Sequence, residues 1–206
     1  MKSGVGDTIV WIYHAFFEPG TGGNKRETEH EQGLWLLRRA LRERYGIGCG
    51  EGRMPELVEG AHGKPYLKEY PLIHFNISHC MGLAVLAIGD CTVGIDAECV
   101  RPYREPLLKR VLSDAELRQM KEAGESEREE LFFRFWTLKE SYVKAVGCGI
   151  TVPLQDISFQ IGKNGEIACE KTGWSFRQWK LAEKYIVSAC VAGEGEIRLA
   201  EQEEQP

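Results

Sequence analysis

No stretch of this 206-residue chain strings together the roughly 18 apolar residues that a membrane-spanning helix requires. The opening run from Ile9 to Phe17 contains His14 and has no small-residue cleavage site, so it does not read as a secretion signal. A cytoplasmic protein without membrane contact is expected. The seven cysteines (49, 80, 91, 99, 148, 169 and 190) include no Cys-x-x-Cys pair and are odd in number. That pattern fits neither a thiolate zinc site nor a disulfide framework, and leaves reduced, mostly buried thiols. Surplus positive charge is also missing: 26 Lys and Arg stand against 31 Asp and Glu, a net charge of -5. A broad surface for a phosphate backbone is thereby excluded, and nucleic acid is not an expected partner. What is present is ordinary globular material. With 43% hydrophobic residues, five Trp and no long biased tract, the chain can bury enough apolar surface to offset its conformational entropy.

Residues 8–15 are rich in Ile, Val, Trp and Tyr and predict a first strand before a turn at Gly20, Gly22 and Gly23. The spacing of Leu34, Leu37, Ala40 and Leu41 predicts a helix over 27–45, ending at Gly46. Three β-type runs follow at 73–77, 83–88 and 92–98 and read as one meander. Ser113-x-x-Glu116 and Ser126-x-x-Glu129 match the capping box and predict helices over 114–123 and 126–146. The second carries Leu131, Phe132, Phe135, Leu138, Tyr142, Val143 and Val146 at helical spacing and ends at Gly147. Lys163-Asn164-Gly165 predicts a hairpin joining 157–161 to 166–170, with a second strand pair at 174–181 and 185–191. The expected fold is α+β, two similar lobes that each pack a long helix on a small antiparallel sheet: 1–98, 99–192, then an acidic tail over 193–206.

Asp96 and Glu98 are the most informative pair, because side chains two apart on a strand share a face. Two neighbouring carboxylates are tolerated where water bathes both or a cation lies between them. Glu140 is a third carboxylate, set deep in the apolar helix. It forms either a helix-surface ion pair with Lys144, four residues on, or part of an oxygen-ligand set suited to Mg²⁺, with Lys139 and Lys144 left for phosphate charge. Phe75-Asn76-Ile77-Ser78-His79 ends a strand with groups that bind phosphate, although a histidine there is as readily structural. Gly63-Lys64-Pro65 is a rigid turn presenting a Lys.

These segments, with Gly94-Ile95-Asp96-x-Glu98 and Trp136-x-x-Lys139-Glu140-Ser141-x-x-Lys144, occur in one order within residues 60–150. Through them the chain resembles the 4'-phosphopantetheinyl transferases, in particular the larger single-chain type that activates peptide synthetases. The resemblance implies a pseudo-two-fold fold and transfer of the phosphopantetheine arm of coenzyme A to a serine of an apo carrier protein, releasing adenosine 3',5'-bisphosphate. It implies Mg²⁺ held by Asp96, Glu98 and Glu140, with Glu140 as general base. Lys144 would act on the pyrophosphate with Lys139 nearby, Ser78 and His79 on coenzyme A phosphates, and Lys64 with Pro65 on the nucleotide end. Where the family supplies an Arg at the start of the first long helix, this chain has Glu29 or His30. Lys25 and Arg26 are expected to take over the 3'-phosphate there. Ala97 replaces a larger aliphatic residue between the carboxylates.

Carrier proteins are acidic, and Arg101, Arg104, Lys109 and Arg110 offer a local basic rim around Leu107, Leu108 and Val111. Both lobes lie in one chain, so a monomer is expected. Two other readings use the same residues: a metal-dependent hydrolase cleaving the pyrophosphate of coenzyme A or a nucleotide, and a non-catalytic module that binds coenzyme A or a carrier.

Overall fold

The computed structural model describes residues 8–18, 25–48, 54–60, 63–149 and 152–201. Its first half runs β1 (Ile9–Phe16), α1 (Lys25–Tyr45), a small β2–β3 hairpin (Leu57–Glu59, Pro65–Leu67), then β4 (His74–Cys80), β5 (Leu83–Gly89) and β6 (Val93–Cys99). The second half contains α2 (Glu105–Val111), α3 (Asp114–Glu122), α4 (Arg128–Val146), a β7–β8 hairpin (Phe159–Ile161, Ile167–Cys169), β9 (Trp174–Leu181), β10 (Tyr185–Ala192) and β11 (Glu196–Leu199). The expected glycine turn at 20–23 lies outside the described residues. No helix among the described residues is long and apolar enough to cross a membrane.

One sheet has the order β11-β1-β5-β4 and a second the order β6-β10-β9. Strand β5 shows how they stack: all seven of its residues are buried, which requires cover on both faces. Ala84, Leu86 and Ile88 pack with Leu36, Leu37, Ala40 and Leu41 of α1. The alternate residues Leu83, Val85 and Ala87 pack with Val93, Ile95 and Ala97 of β6 and Val187, Ala189 and Val191 of β10. Beyond the second sheet, Ile186 and Phe176 join Phe132, Phe135 and Leu138 of α4 in a third core. The order is therefore helix, sheet, sheet, helix, an α+β fold in which each long helix covers its own sheet. Each fully buried Leu in these cores contributes about 1.5–3 kcal/mol by leaving water.

Two local features fix α4. Gly94 faces the helix so closely that a Cβ there would collide with the Ser141 carbonyl and the Ala145 amide, so only glycine permits this approach. At its end, Gly147 adopts φ 72° and donates its N–H to the Val143 carbonyl at 2.9 Å, the left-handed cap that glycine favours.

Three expectations are corrected. Strand β6 is not part of a meander with β4 and β5: it pairs with β10 in the second sheet. The reason is chemical. Along the β4 edge, side chains replace a backbone ladder: Asn76 Oδ1 accepts from the Ile95 N–H at 2.8 Å and Ser78 Oγ from the Ala97 N–H at 3.3 Å. Second, the acidic tail is partly structured, since Glu196–Leu199 pairs in parallel with β1 and buries Ile197. Third, the capping box at Ser126 does not form. A 3-10 turn occupies Glu125–Glu127, Glu127 Oε2 accepts from the Gly124 N–H at 3.2 Å, and α4 starts at Arg128. The box at Ser113 forms as expected.

Candidate active site

Strands β4 and β6 and helix α4 meet at Asp96, which is 5% exposed. Because Gly94 lets α4 close on β6, the next residue on that face of β6 lies within reach of the helix. Lys144 Nζ donates to Asp96 Oδ1 at 2.6 Å, and Ser78 Oγ donates to the same oxygen at 3.0 Å. Lys144 also donates to Ser78 Oγ at 3.0 Å, closing a three-residue network. Asp96 Oδ2 is buried and has no hydrogen-bond partner among the described residues. An unpaired carboxylate oxygen is costly to bury, and such an atom needs an explanation.

Glu98 lies two residues on and Glu140 on α4. Burial pushes both carboxyls above the usual carboxylate range. For Glu140 the negative charge of Asp96 adds to the rise and that of Glu98 adds further, while Lys144 opposes it. For Glu98 the hydrogen-bonded Arg101 opposes the rise, and Asp96 adds to it. The three expected metal ligands therefore share one electrostatic neighbourhood. They do not form a closed cage: among the described residues no three His, Cys, Asp or Glu side chains are grouped to hold an ion. Cationic side chains stand beside the carboxylates, with Lys144 on Asp96 and Arg101 Nη1 2.7 Å from Glu98 Oε2. By type, carboxylate oxygen suits a hard divalent cation that keeps several waters, and one buried Asp96 oxygen is without a partner among the described residues.

Beside Glu140 and Lys144 opens a cavity of about 290 Å³, bounded by Pro65, Asn76, Val143, Val152 and Leu154. Pro65 thus stands where a ligand beside Glu140 would meet it. Lys64 does not present its charge to that space. Its ammonium donates to the Val93, Lys144 and Ala145 carbonyls at 2.9, 2.8 and 3.1 Å, which uses all three of its donors. Burial lowers its pKa to about 8. In this arrangement Lys64, which also lines the cavity, pins the end of α4 to the start of β6.

Lys139 is engaged as well. It is fully buried, pairs with Glu116 at 2.5 Å, and donates to the Val111 and Leu154 carbonyls rather than lining the cavity itself. On a helix, neighbouring residues project about 100° apart, so Lys139 and Glu140 cannot serve one small site. His79 is partly exposed, with Nδ1 3.2 Å from Glu29 Oε2. Lys25 and Arg26 open α1, but their side chains lie outside the described ones. Arg101 stacks 4.8 Å over Phe133 and, with Arg104, Tyr103, Leu107 and Trp136, borders a hollow of about 210 Å³ next to Glu98. Cys80, Cys91, Cys99, Cys148, Cys169 and Cys190 are free thiols, and Cys49 lies outside the described residues.

Two contributors were not singled out by sequence reasoning as site residues. Asn76 looks like a phosphate ligand but binds the Ile95 amide. Glu116 announces itself only as a helix cap, and nothing in its spacing reveals the buried lysine beneath it.

Comparison with known proteins identifies the family. The sequence model of the 4'-phosphopantetheinyl transferase superfamily matches residues 92–192, the segment from β6 through β10. A 4'-phosphopantetheinyl transferase of Bacillus subtilis is 29% identical over 167 residues, covering 78% of this chain and 72% of its own. The 4'-phosphopantetheinyl transferase HetI of Nostoc sp. is 30% identical over 177 residues, covering 81% and 73%. Among solved structures, a holo-(acyl-carrier-protein) synthase from Bacillus anthracis is similar at 24% identity with a TM-score of 0.43, over 50% of this chain and 95% of that one. With a relative of this identity matched over most of both lengths, the chain belongs to the 4'-phosphopantetheinyl transferase superfamily and is a transferase.

Proposed function

We propose that this protein moves the 4'-phosphopantetheine arm of coenzyme A onto the serine hydroxyl of an apo acyl or peptidyl carrier protein, with Mg²⁺ as cofactor. The serine oxygen attacks the phosphorus that bears pantetheine, the anhydride bond to the second phosphate breaks, and adenosine 3',5'-bisphosphate leaves. Asp96, Glu98 and Glu140 would hold the metal ion. When bound, it supplies positive charge to the pyrophosphate oxygens as the leaving group departs. The observation that carries this reading is the buried, unpartnered Oδ2 of Asp96 beside two carboxyls whose pKa values are raised.

The chain's own residues divide the remaining tasks. Glu140 borders the cavity and accepts the serine proton, directly or through water, and a nearby cation keeps it ionised for that role. Lys144 reaches the same space and turns from Asp96 to the pyrophosphate. Ser78, which holds Asp96 Oδ1, and His79 at the strand end lie toward the coenzyme A phosphates, and Pro65 toward the nucleotide. Lys25 and Arg26 take the 3'-phosphate. The basic rim of Arg101, Arg104, Lys109 and Arg110 meets the acidic carrier. The protein works as a monomer in the cytoplasm; that β4 of one sheet and β6 of the other meet within a single chain supports the first.

Intact-mass spectrometry of an apo carrier incubated with this protein, coenzyme A and Mg²⁺, with and without chelator, tests the reading. A mass gain of one phosphopantetheine that the chelator abolishes is the expected result. Adenosine bisphosphate released without carrier modification would replace it with a hydrolase. Coenzyme A binding without turnover, indifferent to chelator, would replace it with a binding module.

A further inference from the structure

Lys139 and Glu116 form an ion pair in which both side chains are 0% exposed, and the reaction outlined above uses neither. Two charges stripped of water are tolerated only where their remaining hydrogen-bonding groups are matched. Here they are matched throughout. The Lys139 ammonium donates to the Val111 carbonyl at 2.6 Å and the Leu154 carbonyl at 3.0 Å. Glu116 accepts from the Ser113 N–H at 2.8 Å through Oε2 and from the Phe159 N–H at 2.9 Å through Oε1.

The identity of these partners gives the pair its meaning. Val111 is the last residue of α2, whose free carbonyls and dipole favour a cation, and α2 carries Lys109 and Arg110. Leu154 is a wall of the cavity that Glu140 borders. Lys139 immediately precedes Glu140 on α4. One ammonium thus holds the basic helix, the cavity wall and the carboxylate-bearing turn of α4 in fixed relation.

We propose that Lys139 is a positioning residue for the transfer reaction: paired with Glu116 and bonded to Val111 and Leu154, it sets where Glu140 stands relative to the cavity and to α2, and it touches neither coenzyme A nor carrier. The inference rests on the transferase reading. It requires a larger defect in turnover than in coenzyme A binding, because what it chiefly sets is the position of the Glu140 proton acceptor, while Leu154 is one wall of the cavity among several.

Three full-length proteins test it: wild type, Glu116→Gln, and the double variant Lys139→Met with Glu116→Gln. Lys139→Met alone would leave a carboxylate buried without its cation, and such a protein is expected to fold poorly. In the double variant Met fills the volume of the lysine stem and Gln keeps one acceptor oxygen. Melting curves, coenzyme A affinity by titration calorimetry, and kcat and KM for an apo carrier are measured on all three. The expected result is a single cooperative melt and coenzyme A affinity within about twofold of wild type, with kcat lowered about tenfold or more in the double variant and less in Glu116→Gln. A tenfold loss of coenzyme A affinity, to order of magnitude, would put the ammonium on the coenzyme and overturn the proposal. Unchanged kcat in the double variant, or an unfolded double variant together with unchanged kcat in Glu116→Gln, would leave the pair a purely structural one and also overturn it. A wild-type protein that binds coenzyme A yet modifies no carrier would remove the transferase reading itself, and the inference with it.

Discussion

Lys144 Nζ lies 2.6 Å from one oxygen of the Asp96 carboxylate, while the other oxygen of the same group is buried without a partner among the described residues. A lysine neutralises the charge of Asp96 but leaves half of its hydrogen-bonding capacity open, and the negative charge of Asp96 helps to raise the pKa values of Glu98 and Glu140.

Asp96→Asn keeps the shape and removes the charge. Transfer is expected to fall by more than the roughly 10–100-fold seen when groups one step removed from a metal are lost. The melting temperature should change little, because loss of the Lys144 ion pair is offset by no longer burying an unpaired carboxylate oxygen. Steady-state kinetics with calorimetric melting on one preparation checks both.

Glu140→Gln removes the proton acceptor and, with it, one of the three carboxylates proposed to hold the metal ion. A loss of about 10²–10⁴ in kcat is expected, with coenzyme A still bound. Titration calorimetry and single-turnover assays separate the two; a variant that turns over normally would move the base elsewhere.

Lys64 links pH to stability. Its pKa, lowered to about 8 by burial, lies below the ordinary 10.5, so between those values the unfolded chain binds more protons than the folded one. Stability therefore gains from this group as pH rises through that window. In Lys64→Met the gain should vanish, and the melting temperature should be lower throughout because three carbonyls lose their donor. Melting curves from pH 7 to 10.5 for both proteins read this out.

Gly94→Ala tests how tightly α4 lies on β6. The added methyl meets backbone atoms of Ser141 and Ala145, which no rotamer change relieves, so a cost of about 1–3 kcal/mol or more is expected. Activity should fall with it, since the same contact sets the spacing of Asp96 and Lys144. Chemical denaturation and a transfer assay would show whether the two losses track one another.

Much of this was legible in residue order. Local signals sufficed for α1, for α4 and its Gly147 end, for the Ser113 cap, and for the Asn164-Gly165 hairpin, because each is settled within a few residues. Alternation puts Asp96 and Glu98 on one strand face, and Glu140 stands out as a carboxylate inside an apolar helix. What escaped depended on distant partners. Lys139 and Lys144 look alike on paper, five residues apart on one helix, and only the surrounding packing sends one to Glu116 and the other to Asp96. Strand β6 reads as a partner of its sequence neighbours because short connections usually join adjacent strands. Its true partner, β10, lies about ninety residues on and carries no mark of the pairing. The alternation of Ile197 and Leu199 with Glu196 and Arg198 did announce β11, but surrounding glutamates masked it.

The seam between the two sheets bears on how a mutational survey of this protein is interpreted. Asn76 and Ser78 stitch β4 to β6 through backbone amides, and Ser78 also steadies Asp96. A screen that scores product alone would rank Asn76 with the chemically active groups, although its side-chain oxygen grips only a neighbouring strand. At this seam, tolerance to substitution measures carpentry as much as chemistry, and only a readout of folding set beside one of turnover tells them apart.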